Sequence, residues 1–103
     1  MHTVLTTIDK RTPSTVELEK LNDVRFRQTG VQYLAIEQGQ PIGVAISNRA
    51  MSGDWHGNNY VATFAKQSHR VKHAEPGMLL AVQDHTTGKW TVGTISEVSH
   101  RAD

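Results

Sequence analysis

The sequence predicts a small single-domain α+β protein with two β-hairpins and one or two helices. Three observations carry that reading. The stretch from Thr29 to Ser47 reads as two short β-runs folded around Gly39, Gln40 and Pro41. Ser14 and Glu17 have the spacing of a capping box, which opens a helix. Met78 to Val82 and Lys89 to Val98 read as a second hairpin around residues 84–88.

Taken in order, Thr3 to Ile8 is a short strand rich in Thr and β-branched residues, and residues 9–13 are a turn. The helix starts at Ser14. Glu17 and Glu19 sit at the positive end of its macrodipole, and Leu18, Leu21 and Val24 form a narrow apolar stripe. In the first hairpin, Val31, Tyr33, Ala35 and Glu37 share one face, and Gln32, Leu34 and Ile36 the other. Apolar groups on both faces predict a strand covered on each side. Pro41 lacks the N–H that a central strand needs. Ile42, Val44 and Ile46 then restart a period-2 pattern, with small Gly43 and Ala45 between them. That small side predicts close packing, such as a helix laid against it. Residues 48–59 are polar and glycine-containing and read as a loop. They suggest a division into a helix-plus-hairpin unit, 1–52, and a β-rich segment, 53–103, of the same compact domain. Residues 60–73 fit either a strand, by the alternation of Tyr60, Ala62 and Phe64, or a loose helical face. Glu75, Pro76 and Gly77 mark a turn.

Composition bounds the function. The 103 residues are 37% hydrophobic and 20% charged, which fits one folded globule with a modest core. A homodimer would enlarge that core. No cysteine is present, so neither a disulfide nor a thiolate zinc site can form. The longest apolar run, Met78 to Val82, is far too short to span a membrane, and no signal-peptide pattern opens the chain. A cytoplasmic protein is the expectation. The net charge of +1 gives no reason for strong nonspecific nucleic-acid binding.

Few residues point to chemistry. His69 and His73 would share a face if helical, but a third ligand at fixed spacing is missing and cations surround them. No metal and no cofactor is expected. No nucleophile elbow is visible, and Glu17 and Glu19 read as helix-start residues rather than an acid–base pair. A non-enzymatic protein is therefore expected. The basic run from Lys66 to His73 could meet phosphates or could be a solubilising strip. Lys10 with Arg11, and Arg25 with Arg27, form two further basic pairs and are the candidate DNA contacts. Trp55, set between Gly53 and Gly57, is the candidate protein-interface anchor. Val44, at the centre of its period-2 run, is expected near a dimer interface. Trp90, in an alternating run, reads as core.

The segment from residue 14 to 52 resembles the N-terminal domain of prevent-host-death (Phd/YefM) type antitoxins. The resemblance rests on Gly30, Gly39, and Pro41-Ile42-Gly43-Val44-Ala45-Ile46-Ser47, preceded by the helical stretch from Val16 to Val24. It implies a small dimeric DNA-binding regulator whose partners are duplex DNA and a cognate toxin. The turn at Glu37-Gln38-Gly39-Gln40 lacks the positive charge usual in that family. Two functions stay open: a DNA-binding regulator using Lys10, Arg11, Arg25 and Arg27, or a compact protein-binding module or inhibitor, such as a mobile element encodes, working through Trp55 on a host protein.

Overall fold

A computed structural model describes residues 2–25, 31–33, 36–37, 40–41, 43–48, 52–64, 71 and 74–101. Its elements are β1 (His2–Arg11), α1 (Thr15–Leu21), β2 (Val31–Tyr33), β3 (Ile36–Glu37), β4 (Gln40–Pro41), β5 (Gly43–Ser47), β6 (Ser52–His56), β7 (Asn59–Phe64), β8 (Leu79–Gln83) and β9 (Trp90–Arg101). Seven strands form one sheet in the order β2-β5-β8-β9-β1-β7-β6. Only the β5–β8 pairing in it is parallel. The sheet curls into a half-barrel.

The α+β expectation is thus corrected: the protein is mostly strand, with a single α-helix among the described residues. The error has a local cause. Residues 52–64, whose first half reads as a polar linker, form the β6–β7 hairpin, with Gly57 at φ +64° in its turn. A Gly-Asn pair between extended runs closes such a hairpin because glycine takes positive φ at little cost. Residues 52–59 of the loop expected at 48–59 therefore belong to a strand pair. Residues 60–64 resolve as strand rather than helix. β1 from the first half of the chain lies between β9 and β7 of the second, so one sheet crosses residue 52.

The locally specified elements form as expected. Ser14 caps α1, its hydroxyl accepting from the Glu17 N–H, while the Glu17 carboxylate accepts from the Ser14 N–H. β2 and β5 pair antiparallel, Val31 facing Ile46, with the short β3–β4 pair between them in sequence. The β8–β9 hairpin pairs Gln83 with Trp90.

Alternation along β5 and β8 divides the core between the two faces of the sheet. Val44, Ile46, Leu80 and Val82 join Leu5, Tyr60, Ala62 and Ile95 in one buried cluster. Ala45 and Ala81 face the other way, with Leu21, Val24, Trp90 and Val92. Leu21 belongs to α1, so the small side chain at 45 meets a helix, as its size predicts. Leu18 stays 37% exposed, so the helix's apolar stripe is narrower than its sequence suggests.

β1 is irregular where it matters most. Ile8 faces Thr94 but Arg11 faces Val92, so β1 carries one residue too many for regular pairing. Asp9 absorbs it at φ 59°. Gly93 lies opposite; a Cβ there would stand 3.0 Å from the Ile8 carbonyl oxygen. The bulge lets β1 extend through Lys10 and Arg11, which the sequence places in a turn.

Candidate functional site

An open groove of about 610 Å³ lies where the end of β1, the β6–β7 hairpin and the β8–β9 hairpin meet. β1 brings Lys10 and Arg11, β6 brings Gly53, Asp54 and Trp55, and the β8–β9 hairpin brings Asp84 and Lys89. Trp55 is half-buried and stacks edge-on against Tyr60, with ring centroids 4.9 Å apart. The Lys10 ammonium lies 5.3 Å from the centroid of the Trp55 ring. That is within cation–π range. Tyr60 pairs directly with Trp55 across the hairpin, so the register itself sets the two rings face to edge.

Tyr60 is anchored by its backbone and left unsatisfied at its tip. Its N–H donates to the buried Thr7 hydroxyl at 2.8 Å, which also explains why a threonine is fully buried in β1. Its own hydroxyl is buried and has no hydrogen-bond partner. Burial, reinforced by the Asp54 carboxylate, pushes that hydroxyl's pKa up to about 12. Gly53 makes the room: a Cβ there would stand 2.8 Å from the Tyr60 hydroxyl oxygen and 2.9 Å from the Val61 carbonyl oxygen.

The carboxylates around the groove are each committed to a donor. Asp54 accepts from the Trp55 N–H at 2.8 Å. Asp84 accepts from the Thr86 and Thr87 N–H groups at 2.8 and 3.1 Å, and these hold its pKa below the usual carboxylate value. Glu17 takes a two-pronged ion pair from Arg11 at 2.6 and 2.8 Å. That hydrogen bond holds Glu17 down at about 2 and raises Arg11 further.

The structure gathers Lys10, Arg11 and Trp55, which the sequence picks out for two different functions, into one groove. Arg25 lies elsewhere, lining a second depression between α1 and the β8–β9 hairpin. Its Nη1 donates to the Asn22 and Val24 carbonyl oxygens at 2.7 and 2.8 Å, closing the end of α1. Arg27, His69 and His73, with most of the basic run at 66–73, lie outside the described residues. Val44 is fully buried in the core of the protomer. Among the described residues, no group of three or more His, Asp or Glu side chains could hold a metal ion. No described helix is long and apolar enough to cross a membrane.

Sequence reasoning misses Tyr60 as the partner of Trp55 and Lys89 as a lining residue of the same groove. The signal for Tyr60 was present: Gly57-Asn58 between two extended runs predicts a hairpin that sets Trp55 opposite Tyr60. Lys89 has no such local signal, because it reaches the groove only through sheet closure. No protein-family model, curated protein or solved structure matches the chain.

Proposed function

We propose that this chain is a small non-enzymatic protein-binding module whose groove, centred on Trp55, receives a segment of a partner protein. The observation that supports this reading is the composition of the groove. A half-buried tryptophan forms one wall, and both cations and carboxylates line the groove with it. Aromatic anchors flanked by mixed charge suit a polypeptide. A phosphate backbone carries a continuous row of negative charge and would meet Asp54 and Asp84 beside Lys10 and Lys89, whereas a polypeptide can set a single charge beside a cation and clear of the aspartates. Arg11, one of the candidate phosphate contacts, already spends its guanidinium on Glu17.

A DNA-binding regulator of the antitoxin-like kind is the second reading. Lys10, Arg11 and Lys89 at one mouth favour it. A direct test separates the two. Wild type and Trp55→Ala are compared for enrichment of peptides from a displayed random library and for duplex-DNA affinity across a salt series. The module reading expects peptides that wild type enriches and Trp55→Ala does not. Duplex affinity that falls steeply with salt, weakens in Lys10→Ala and is untouched by Trp55→Ala would replace it with the regulator reading.

A further inference from the structure

We infer that the group recognised in the Trp55 groove is a carboxylate on an acidic, apolar-containing segment of the partner protein, bound by the Tyr60 hydroxyl together with the Lys10 and Lys89 ammonium groups. This rests on the protein-binding reading above. The argument is a balance of donors and acceptors. Both carboxylates that line the groove have a local donor: Asp54 the Trp55 N–H, and Asp84 the Thr86 and Thr87 N–H groups. The donors are not matched in return. The Tyr60 hydroxyl, in a residue only 1% exposed, has no partner. Neither the Lys10 nor the Lys89 ammonium has an acceptor among the described residues. Asn59 Oδ1 is also buried without a partner but does not line the groove; among the groups that do, the unmet demand is for an acceptor, and two of the three donors are cationic, so an anionic acceptor gains most.

The buried hydroxyl is the informative group. Leaving a buried hydroxyl unpaired costs stability, and phenylalanine would fill the same space without that cost. Its retention makes sense if a bound ligand satisfies it. The Trp55 and Tyr60 rings meet edge-on, and the Lys10 ammonium lies over the indole. A carboxylate that draws the Lys10 ammonium off the indole face stands at the groove wall that Gly53, Trp55 and Tyr60 form together, with the Tyr60 hydroxyl against the Gly53 position. The apolar neighbours of the carboxylate then lie on the vacated indole face.

The test uses two pools of acetylated, amidated octapeptides. Alternate positions are Glu in one pool and Gln in the other, and the remaining positions are drawn from Leu, Phe and Val. Binding to the full chain is read from the indole N–H resonance of Trp55, with that of Trp90 as the internal control. The expected result is that the Glu pool shifts Trp55 and binds roughly tenfold or more tightly than the Gln pool, the factor a hydrogen bond to a charged group supplies. Tyr60→Phe should remove most of that factor while its unfolding midpoint stays unchanged or rises. Lys10→Gln should weaken the Glu pool and leave the Gln pool alone. Equal binding of the two pools, or a Tyr60→Phe variant that keeps the full preference or loses stability, overturns the carboxylate inference and leaves the module reading standing. Failure of both pools to bind overturns both. A short DNA duplex that shifts Trp55 where neither pool does assigns the groove to nucleic acid instead.

Discussion

The two tryptophan-bearing hairpins of this protein are built alike and covered differently. In β8–β9, Trp90 is 8% exposed and joins Leu21, Val24, Ala45, Ala81 and Val92 under the helix. In β6–β7, Trp55 is half-buried, and its outer surroundings are a lysine and an open groove. The difference lies in what covers each ring. The β8–β9 hairpin is central in the sheet, and Leu21 at the end of α1 joins the cluster around Trp90. The β6–β7 hairpin closes the other end of the sheet, where β6 is the terminal strand. An edge hairpin leaves one side of its aromatic ring unpacked, and that is where a binding surface can form without cost to the core. Edge strands also need protection. Here Asp54 takes the Trp55 N–H with its own side chain, which blunts the edge at the residue that matters.

This contrast can be broken at several places. The largest effect belongs to the core that both hairpins share. Val44 is fully buried in β5, between β2 and β8. Val44→Asp should cost more than about 4 kcal/mol, enough to unfold so small a domain. Far-UV circular dichroism should show loss of the strand signal. A folded variant of near wild-type stability would mean that position 44 can reach solvent.

Next comes the direct comparison of the two rings. Trp90→Ala should cost about 3–5 kcal/mol, because it opens a cavity under the helix. Trp55→Ala should cost only about 1–2 kcal/mol, the scale of one aromatic pair and one exposed cation–π contact. Urea midpoints of the two variants measure this. Equal losses would remove the distinction between a packing and a surface tryptophan.

Gly53→Ala tests how tightly the groove wall is set. The added methyl would press on both the Tyr60 hydroxyl and the Val61 backbone carbonyl. The Tyr60 ring can turn aside, but the carbonyl is fixed in the β6–β7 pairing. A loss of about 1–3 kcal/mol is expected, with a displaced Trp55 resonance. An unperturbed Trp55 environment would show that the hairpin gives way instead.

The smallest effect lies at the Arg11–Glu17 pair, which ties the end of β1 to the start of α1. The Arg11 hydrogen bond lowers the Glu17 pKa to about 2 when folded, against about 4.3 for a free glutamate. A depressed carboxylate stabilises the fold above its unfolded value. That contribution is complete by about pH 5 and is lost as the pH falls towards 2. Arg11 is 45% exposed at its side chain, so solvent screening limits the pair to about 1 kcal/mol. Thermal melts of wild type and Glu17→Gln should differ by that amount at pH 7 and converge by about pH 2. A constant gap across that range would assign the effect to the cap alone.

The structural outcome separates local from long-range determinants. The capping box at Ser14 and Glu17 depends on groups three residues apart, so the sequence alone specifies it. The period-2 run of β5 works the same way. Its alternation predicted a helix beside Ala45, and Leu21 lies there. The β8–β9 hairpin followed from a turn with Gly88 at φ +74° between two apolar runs. Residues 52–59 read as a loop because their polarity hides the Gly57-Asn58 turn signal. A strand at the edge of a sheet can be polar on its open side and still pair.

What the tertiary structure alone decided is the meeting of Lys10, Trp55 and Lys89. Those residues are far apart in sequence, and no local pattern relates them. Their convergence depends on β1 inserting between β9 and β7, on the Asp9 bulge that carries Lys10 and Arg11 beyond Ile8, and on the curl of the sheet. The unsatisfied Tyr60 hydroxyl is of the same kind. Residue type gives a tyrosine a hydroxyl, but only packing decides whether water, a neighbour or a ligand must meet it. Sequence fixes propensities over three or four residues at a time; a binding groove is made by contacts between strands that the chain brings together only on folding.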